Sequence, residues 1–278
     1  MAKTMCNGTE VDRPEYVLSL SYGKDSLACL GAIDELGLPL DRIVHAEVWA
    51  TETIPADLPP MVEFKKKADA IIKDRWGIEV EHFHATKVDR VIMAKVSYFD
   101  YFYQKMVTGK NIGNIKGFPM QRGNWCTKLK LCAFPKYQEG SIEYIGIAVD
   151  EPKRFHNLTA TKRSPLVEAG WTEQDCLAWC EHNDLLSPIY TTATRGGCWF
   201  CHNQGVDQLR LLRMNYPDLW TLLLTWDVDS PVTFKADGHT VHDYDRRFQM
   251  EDEGQIPTDR TFRWEMLSNP PAFQLSLF

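Results

Sequence analysis

The chain has 278 residues, of which 44% are hydrophobic and 25% charged, a composition that fits a globular protein and excludes a largely disordered one. Its formal net charge of −7 argues against a protein that coats nucleic acid by bulk charge. No apolar run approaches the roughly 18 to 20 residues of a membrane span, and the polar residues 1–15 lack the apolar core of a signal peptide. We therefore expect a cytoplasmic protein without membrane contact, whose 8 cysteines are thiols or metal ligands and not a disulfide scaffold.

Alternating segments predict the first part of the fold. Short runs rich in β-branched and aromatic residues predict strands at Tyr16–Leu20, Ile43–Trp49, Ile78–Phe83 and Ile142–Val149. Helical spacing of apolar residues predicts crossover helices at Asp25–Leu36 and Pro59–Trp76. This alternation predicts an α/β fold with a parallel sheet flanked by helices.

The strand signal fades past residue 190. A helix is predicted from Thr172, which forms a capping-box-like pair with Asp175, and short helices are predicted at Asp207–Asn215 and Pro217–Trp226. The acidic, aromatic segment after Asp227 predicts no second sheet. We expect an N-terminal extension over 1–14, an α/β domain over 15–190, a small, mostly helical, cysteine-containing portion over 191–268 and a flexible tail over 269–278.

A basic segment interrupts this acidic chain. Residues 105–136 contain no Asp or Glu but carry Lys105, Lys110, Lys116, Arg122, Lys128, Lys130 and Lys136. Such a run is usually a solvated face. In an acidic chain it also gives a local positive field, which favours phosphate binding.

The segment Ser21-Tyr22-Gly23-Lys24-Asp25-Ser26 lies between the first predicted strand and the first predicted helix. At such a turn the first helical N–H groups are unpaired, and the helix dipole favours an anion. Gly23 allows close approach, Lys24 adds a charge that is expected to face solvent, and the two serines add hydroxyl donors. The alternative is an ordinary turn capped by Asp25 or Ser26. Because the Walker-type spacing is absent, the segment predicts a phosphate site of another type.

This segment resembles the Ser-Gly-Gly-Lys-Asp-Ser loop of the PP-loop ATP pyrophosphatases, with Tyr22 at the first Gly, a bulkier residue expected to narrow the pocket. The resemblance implies an adenine nucleotide alpha hydrolase-like fold. It also implies that the β,γ-pyrophosphate of ATP, or the phosphosulfate of an adenylyl sulfate, is held with Mg²⁺ by Ser21, Gly23, Lys24, Asp25 and Ser26.

Further motifs resemble, in the same order, the phosphoadenosine phosphosulfate (PAPS) reductase branch of that superfamily. They are Gly123–Lys130 with Pro135, Ile145–Arg154 with Ala148 where Arg is common, Ser164–Leu166, Trp171–Asp175, Pro188–Tyr190 and Arg195–Cys201. The resemblance covers about residues 16 to 205. It implies nucleotide contacts at Gly146, Asp150 and Glu151, and catalytic roles for Lys24, Lys128, Lys130 and Arg154, the last three at the α-phosphate.

The motif Cys198-x-x-Cys201 places two thiols at chelating spacing, and soft thiolates suit iron-sulfur or zinc. In iron-sulfur members of the family, a Cys-Cys pair and a distant Cys-x-x-Cys hold a [4Fe-4S] cluster. The resemblance implies Cys126 as a third ligand here, with Trp125 in place of its partner. Cys132, His202 and a non-protein ligand remain open for the fourth position.

The other cysteines have a simpler interpretation. Cys176 and Cys180 lie four residues apart on the helix predicted from Thr172, where core packing is the expected role. Cys6 and Cys29 are also expected to be structural.

The tail ends in Gln274, Leu275, Ser276, Leu277 and Phe278, after two prolines. Its apolar side chains must be buried, either on the protein's own core or on a partner. The pentapeptide resembles the Gln-Leu-(Ser/Asp)-Leu-Phe peptide by which bacterial replication and repair proteins bind the DNA polymerase sliding clamp. This resemblance implies the clamp as a partner, with Gln274, Leu275, Leu277 and Phe278 as contacts, and favours a nucleic-acid substrate.

The sequence leaves three candidate functions. The resemblance favours an ATP-dependent enzyme that activates a substrate by adenylation or sulfur transfer in DNA or nucleic-acid modification, similar in outline to the sulfur-transfer subunit of DNA phosphorothioation. A sulfonucleotide reductase that forms sulfite is the alternative, but in the family it uses a cysteine on a mobile C-terminal segment, and no cysteine follows Cys201. The third function is a non-catalytic, clamp-associated metal-binding module.

Overall fold

The computed structural model of the chain describes residues 2–6, 9–84, 86–88, 91–93, 96–119, 140–156, 158–189 and 197–270. The chain divides into two compact units, Met1–Tyr98 with Asn124–Cys198, and Phe99–Gly123 with Trp199–Phe278. A segment near residue 100 thus belongs with the C-terminal part of the chain, which the hydrophobic pattern did not reveal.

The first unit is built on a parallel sheet. The described strands of this unit are β1 (Ala2–Cys6), β2 (Thr9–Arg13), β3 (Tyr16–Ser19), β4 (Arg42–Trp49), β5 (Val80–His84), β6 (Thr86–Val88), β7 (Val91–Met93), β8 (Val96–Ser97), β9 (Ile142–Tyr144) and β10 (Lys162–Arg163). The main sheet has the order β10-β9-β3-β4-β5, every neighbouring pair is parallel, and β8 pairs with β4. The prediction of a parallel α/β sheet is confirmed. Two antiparallel hairpins, β1–β2 and β6–β7, were not predicted.

Helices flank the sheet and make up the described C-terminal region. They are α1 (Lys24–Leu36), α2 (Pro59–Trp76), α3 (Tyr98–Tyr103) and the helices Pro152–Phe155, Pro165–Ala169, Glu173–His182, Val206–Asn215, Pro217–Asp229 and Val241–Asp252, with a 3-10 turn at Trp264–Leu267. Thr172 and Asp175 form the predicted capping box. Within the described ranges, no helix is long and apolar enough to cross a membrane.

The strand order sets where a ligand can bind. From β3 the chain passes through α1 to β4 and through α2 to β5 on one side, whereas β9 and β10 lie on the other side of β3. In an open parallel sheet, ligands bind outside the carboxyl ends of the strands at the point where the order reverses. That point lies between β3 and β9, the two strands followed by the predicted nucleotide motifs.

Aromatic side chains form the core of the second unit. Phe102 stacks on Trp226 and meets Phe118 edge-on, and Phe118 meets Phe234 in the same way. All four side chains are buried. Between residues 197 and 270 the structure has no strand, as the weak periodicity predicted.

Candidate functional site

The turn after β3 is held by its two serines. The Ser21 amide donates to the Ser26 hydroxyl oxygen at 3.1 Å, the Ser26 hydroxyl donates to the Gly23 carbonyl at 2.9 Å, and the two hydroxyl oxygens lie 3.0 Å apart. Gly23 is the N-cap of α1, and the helix has no side-chain cap. Within the described part of the chain, no acceptor pairs with the backbone N–H of Asp25 or Ser26. The first turn of α1 therefore offers donors to an anion, in place of the capped turn that was the alternative.

Tyr22 occupies the one position of this turn where the backbone is left-handed, with φ of 58°. The related loop has a glycine there, which adopts this conformation without strain, whereas another residue loses about 1–2 kcal/mol. The Tyr22 side chain is fully buried, and its hydroxyl donates to Asp69. Burial, followed by the Asp69 carboxylate, raises the pKa of Tyr22 above its usual range. The expectation that this residue narrows the phosphate pocket is wrong, because its ring points into the core.

Lys24 lies at the start of α1, but its side chain is only 14% exposed. Its ammonium is 2.6 Å from Asp25 Oδ1 and 3.2 Å from Glu173 Oε1. Burial alone lowers the pKa of Lys24, but its hydrogen bonds to the two carboxylates outweigh this and raise it. The expectation of a solvent-facing Lys24 is therefore wrong. The carboxylates of Asp25 and Glu173 hold its ammonium.

The loop after β9 meets the first turn of α1 at Gly146. A Cβ atom on Gly146 would lie 2.6 Å from the Ser26 backbone nitrogen and 2.7 Å from the Asp25 carbonyl carbon. This close approach requires glycine at residue 146. β9 ends at Tyr144, two residues earlier and well before the predicted end at Val149. Gly146 thus lies beside the predicted phosphate turn.

Acidic residues from α1, from the loop after β9 and from the helix Glu173–His182 come together near the start of α1. Asp150 accepts the Glu173 backbone N–H at 3.1 Å and so caps the helix that begins there, and Glu151 accepts two hydrogen bonds of 2.6 and 2.7 Å from Arg154. One carboxylate oxygen each of Asp25, Glu151 and Glu173 lies within 4.8 Å of the other two. The structure thus brings together three of the predicted site residues, Asp25, Glu151 and Arg154, and adds Glu173. The sequence signal for Glu173 was its position in the first turn of the helix that Thr172 caps.

A second polar cluster lies on β4, β5 and α2. His82 lies 2.8 Å from Glu47 through Nδ1 and 2.8 Å from Asp69 through Nε2. Hydrogen bonds to Asp69 and then Glu47 raise the pKa of His82 to about 9. His45 Nε2 lies 2.9 Å from the Lys65 ammonium. No motif in the sequence marks these residues, because His45 and His82 become neighbours only through the register of β4 and β5.

Two of the predicted metal-binding cysteines, Cys198 and Cys201, lie in the described part of the chain. Both are half-buried, and neither forms a disulfide with another described cysteine. Trp199 and Phe200 between them are almost fully buried, and the Gln204 amide closes the following turn on the Cys201 carbonyl at 2.9 Å.

His202, one candidate for the fourth ligand, is half-buried. Burial, followed by the nearby Lys235 ammonium, lowers the pKa of His202, which favours the neutral imidazole that binds metals. Lys235 donates to the His202 carbonyl at 2.8 Å. The chemistry of these donors fits a thiolate metal site.

Cys29, Cys176 and Cys180 are completely buried in the core of the first unit. Burial raises the pKa of Cys176 and Cys180 to about 12, so that both are neutral thiols. Their prediction as packing residues is confirmed.

Several predicted site residues fall outside the described ranges. They are Cys126, Lys128, Lys130 and Cys132 in 120–139, and Gln274, Leu275, Leu277 and Phe278 in 271–278. Of the basic segment, Lys105, Lys110 and Lys116 are described; Lys105 and Lys110 are exposed and Lys116 is half-buried, all in the second unit.

No protein-family model matches the sequence, and no curated protein matches it. Among solved structures, the chain is similar to the U34-tRNA thiolase NcsA from Methanococcus maripaludis with its [4Fe-4S] cluster. The similarity has 12% sequence identity and a TM-score of 0.36, and covers 92% of this chain and 80% of the other. A TM-score this low does not assign a fold.

Proposed function

We propose that the chain is a PP-loop enzyme of the PAPS reductase-like branch, which binds ATP or an adenylyl sulfate and activates its substrate by adenylation or sulfur transfer. One observation carries the proposal. The Ser21–Ser26 turn lies after β3, at the point where the strand order reverses, with Gly146 against the first turn of α1. A parallel sheet binds its ligand at this point, and a helix N-terminus without a side-chain cap favours a phosphate there.

The residues of the turn divide the work of holding phosphate. The backbone N–H groups of Asp25 and Ser26 donate to phosphate oxygens, and the hydroxyls of Ser21 and Ser26 add further donors. Lys24 exchanges its hydrogen bonds to Asp25 and Glu173 for phosphate oxygens. It supplies positive charge during the reaction, together with Arg154 and, from the sequence motif, Lys128 and Lys130.

The carboxylates beside the turn fit Mg²⁺. Asp25, Glu151 and Glu173 supply oxygen ligands of the kind that Mg²⁺ prefers, and their spacing suits a single ion. These carboxylates would hold Mg²⁺, whose charge would offset their repulsion of the phosphates of a nucleotide. The chain's own part is to orient the three oxygens.

The cysteine turn is proposed as a second cofactor site. Cys198 and Cys201 with Cys126 would hold a [4Fe-4S] cluster or zinc, and Cys132 or His202 would complete the set. The partial exposure of Cys198 and Cys201 supports this proposal. A [4Fe-4S] cluster bound at this turn would supply the sulfur-transfer chemistry that acts on the adenylated substrate.

The sulfite-forming reductase is less well supported. It needs a reactive thiolate, and burial keeps Cys29, Cys176 and Cys180 neutral and inaccessible. Among the cysteines whose side chains the structure describes, only Cys198 and Cys201 remain, and these are the proposed metal ligands. A nucleic-acid substrate and a sliding-clamp partner rest on the tail sequence alone.

The test is nucleotide binding and turnover by a Lys24→Met variant, which keeps the aliphatic stem of the half-buried side chain. ATP affinity should fall by one to two orders of magnitude, because a charge-assisted hydrogen bond is worth about 1.5–3 kcal/mol. Isothermal calorimetry with ATP and with adenylyl sulfate, alongside an ATP/pyrophosphate exchange assay, measures both properties. Exchange separates an ATP-consuming enzyme from a reductase and from a non-catalytic module.

The matched control is Lys73→Met, which removes an exposed lysine paired with Glu79. It should bind ATP like the unmodified protein. Equal ATP affinity in the Lys24 variant and the unmodified protein would contradict the phosphate site.

A further inference from the structure

Two histidines and a carboxylate meet on the face of the sheet that α2 covers. His45 and Glu47 lie two residues apart on β4 and so share a face, and His82 on β5 is the direct register partner of His45. One ligand atom from each residue lies within 4.8 Å of the other two. We propose that His45, Glu47 and His82 bind a divalent transition-metal ion of the Zn²⁺ type, with ligands that belong to neither the phosphate turn nor the cysteine turn.

The hydrogen bonds of His45 orient it as a metal ligand. Its Nδ1 lies 2.8 Å from the Leu20 carbonyl oxygen, which only accepts, so Nδ1 carries the hydrogen. The lone pair is therefore on Nε2, the nitrogen that faces the Lys65 ammonium at 2.9 Å. In metal sites the ligating histidine donates its other N–H to a backbone carbonyl or a carboxylate in this way.

His82 has the same kind of support. Its Nε2 lies 2.8 Å from Asp69 Oδ2, and its Nδ1 lies 2.8 Å from Glu47, the third proposed ligand. Asp69 is in turn fixed by the hydroxyl of the buried Tyr22. Both imidazoles thus have an outer partner that fixes the ring and leaves the other nitrogen toward the cluster.

Lys65 marks the position that a cation takes. Its ammonium contacts His45 Nε2 and lies 2.5 Å from Asp57. When a metal binds, the ammonium withdraws from His45 and stays with Asp57. The carboxylates of Glu47, Asp57 and Asp69 line the same pocket as Lys65, so the charge of the pocket favours a cation.

The site also has access. Glu47 and His82 line a pocket of about 180 Å³, together with Asp57, Lys65 and Asp69. Two imidazoles and one carboxylate are a ligand set of transition-metal sites. With three protein ligands, a position stays open for water or a substrate, as in catalytic zinc sites.

The experiment uses the full chain carrying Cys198→Ser and Cys201→Ser, so that the cysteine turn contributes no metal. Co²⁺ is titrated by visible absorption, and Zn²⁺ is titrated in competition. We expect one saturable equivalent with a nitrogen and oxygen ligand spectrum. In the same background, Glu47→Gln should abolish binding, and Asp69→Asn should weaken it about 10- to 100-fold. Lys65→Met should tighten it, because the competing ammonium is gone.

The matched control is His242→Asn, which removes an exposed histidine whose Nδ1 lies 2.6 Å from Asp227. It should leave the affinity unchanged. The proposal is overturned if the cysteine-substituted chain shows no saturable binding, if Glu47→Gln binds like its parent, or if Lys65→Met binds more weakly. ATP/pyrophosphate exchange measured on the same samples keeps this result separate from the proposed function.

Discussion

The left-handed, buried Tyr22 makes a prediction in which two opposing effects can be separated. Replacing it with alanine removes a fully buried ring and keeps the strained backbone, which should destabilise the protein by about 3–5 kcal/mol. Replacing it with glycine removes the same ring but relieves about 1–2 kcal/mol of strain. Glycine also adds about 0.4–1 kcal/mol of chain entropy to the unfolded state. The glycine variant should therefore be more stable than the alanine variant by about 0–1.6 kcal/mol.

Urea denaturation of both variants measures this difference as a shift of the midpoint at constant slope. Tyr16 on β3 is the matched control, because a strand residue has ordinary backbone angles and its alanine variant should be the more stable one. If Tyr22→Ala is clearly more stable than Tyr22→Gly, residue 22 is not left-handed. If neither variant loses more than about 1 kcal/mol, the ring is not part of the core.

Three further predictions concern other parts of the molecule. Gly146→Ala should lose about 1–3 kcal/mol of stability and weaken ATP binding, because the added Cβ would lie 2.6 Å from the Ser26 backbone nitrogen. Thermal denaturation measures the stability and calorimetry the ATP affinity. Gly205→Ala is the control and should change neither, because its Cβ would lie 3.8 Å from the nearest atom, Gln208 Oε1. Cys198→Ser and Cys201→Ser should each release iron or zinc on elemental analysis of anaerobically purified protein, and unchanged metal content in both would refute the cysteine site. Removing residues 277–278 from a peptide spanning 272–278 should weaken its binding to a bacterial sliding clamp by about two orders of magnitude in fluorescence polarisation, and an intact peptide that fails to saturate would leave the tail to the protein's own core.

The sequence was sufficient wherever a pattern repeats along the chain. Apolar spacing located α1 and α2, and the Thr172 capping box located the start of its helix. Alternation predicted the strands but not their ends. β9 stops at Tyr144 because the next turn must bring Gly146 against α1, a demand of packing that periodicity does not express.

The site was predicted where its residues are consecutive and missed where they meet through space. The Ser21–Ser26 turn is one short segment, so its composition and its place after a strand were enough to predict a phosphate site there. Glu173 reaches Lys24 from a helix about 150 residues away. The conformation of Tyr22 escaped prediction for another reason: a substituted glycine position indicates either a changed backbone or a strained side chain, and only the structure decides between them.

The residues between the two cysteines also make the site visible to optical methods. Trp199 stacks on Trp226 with ring centroids 5.8 Å apart and an interplanar angle of 13°. Indoles this close couple electronically, so the near-ultraviolet circular dichroism of the chain should contain a strong signal from this pair. Since Cys198 and Trp199 are adjacent, loading or stripping a metal at the cysteine turn should alter both that signal and the fluorescence of Trp199. Trp199 would therefore report, without an added label, whether the proposed metal site is loaded.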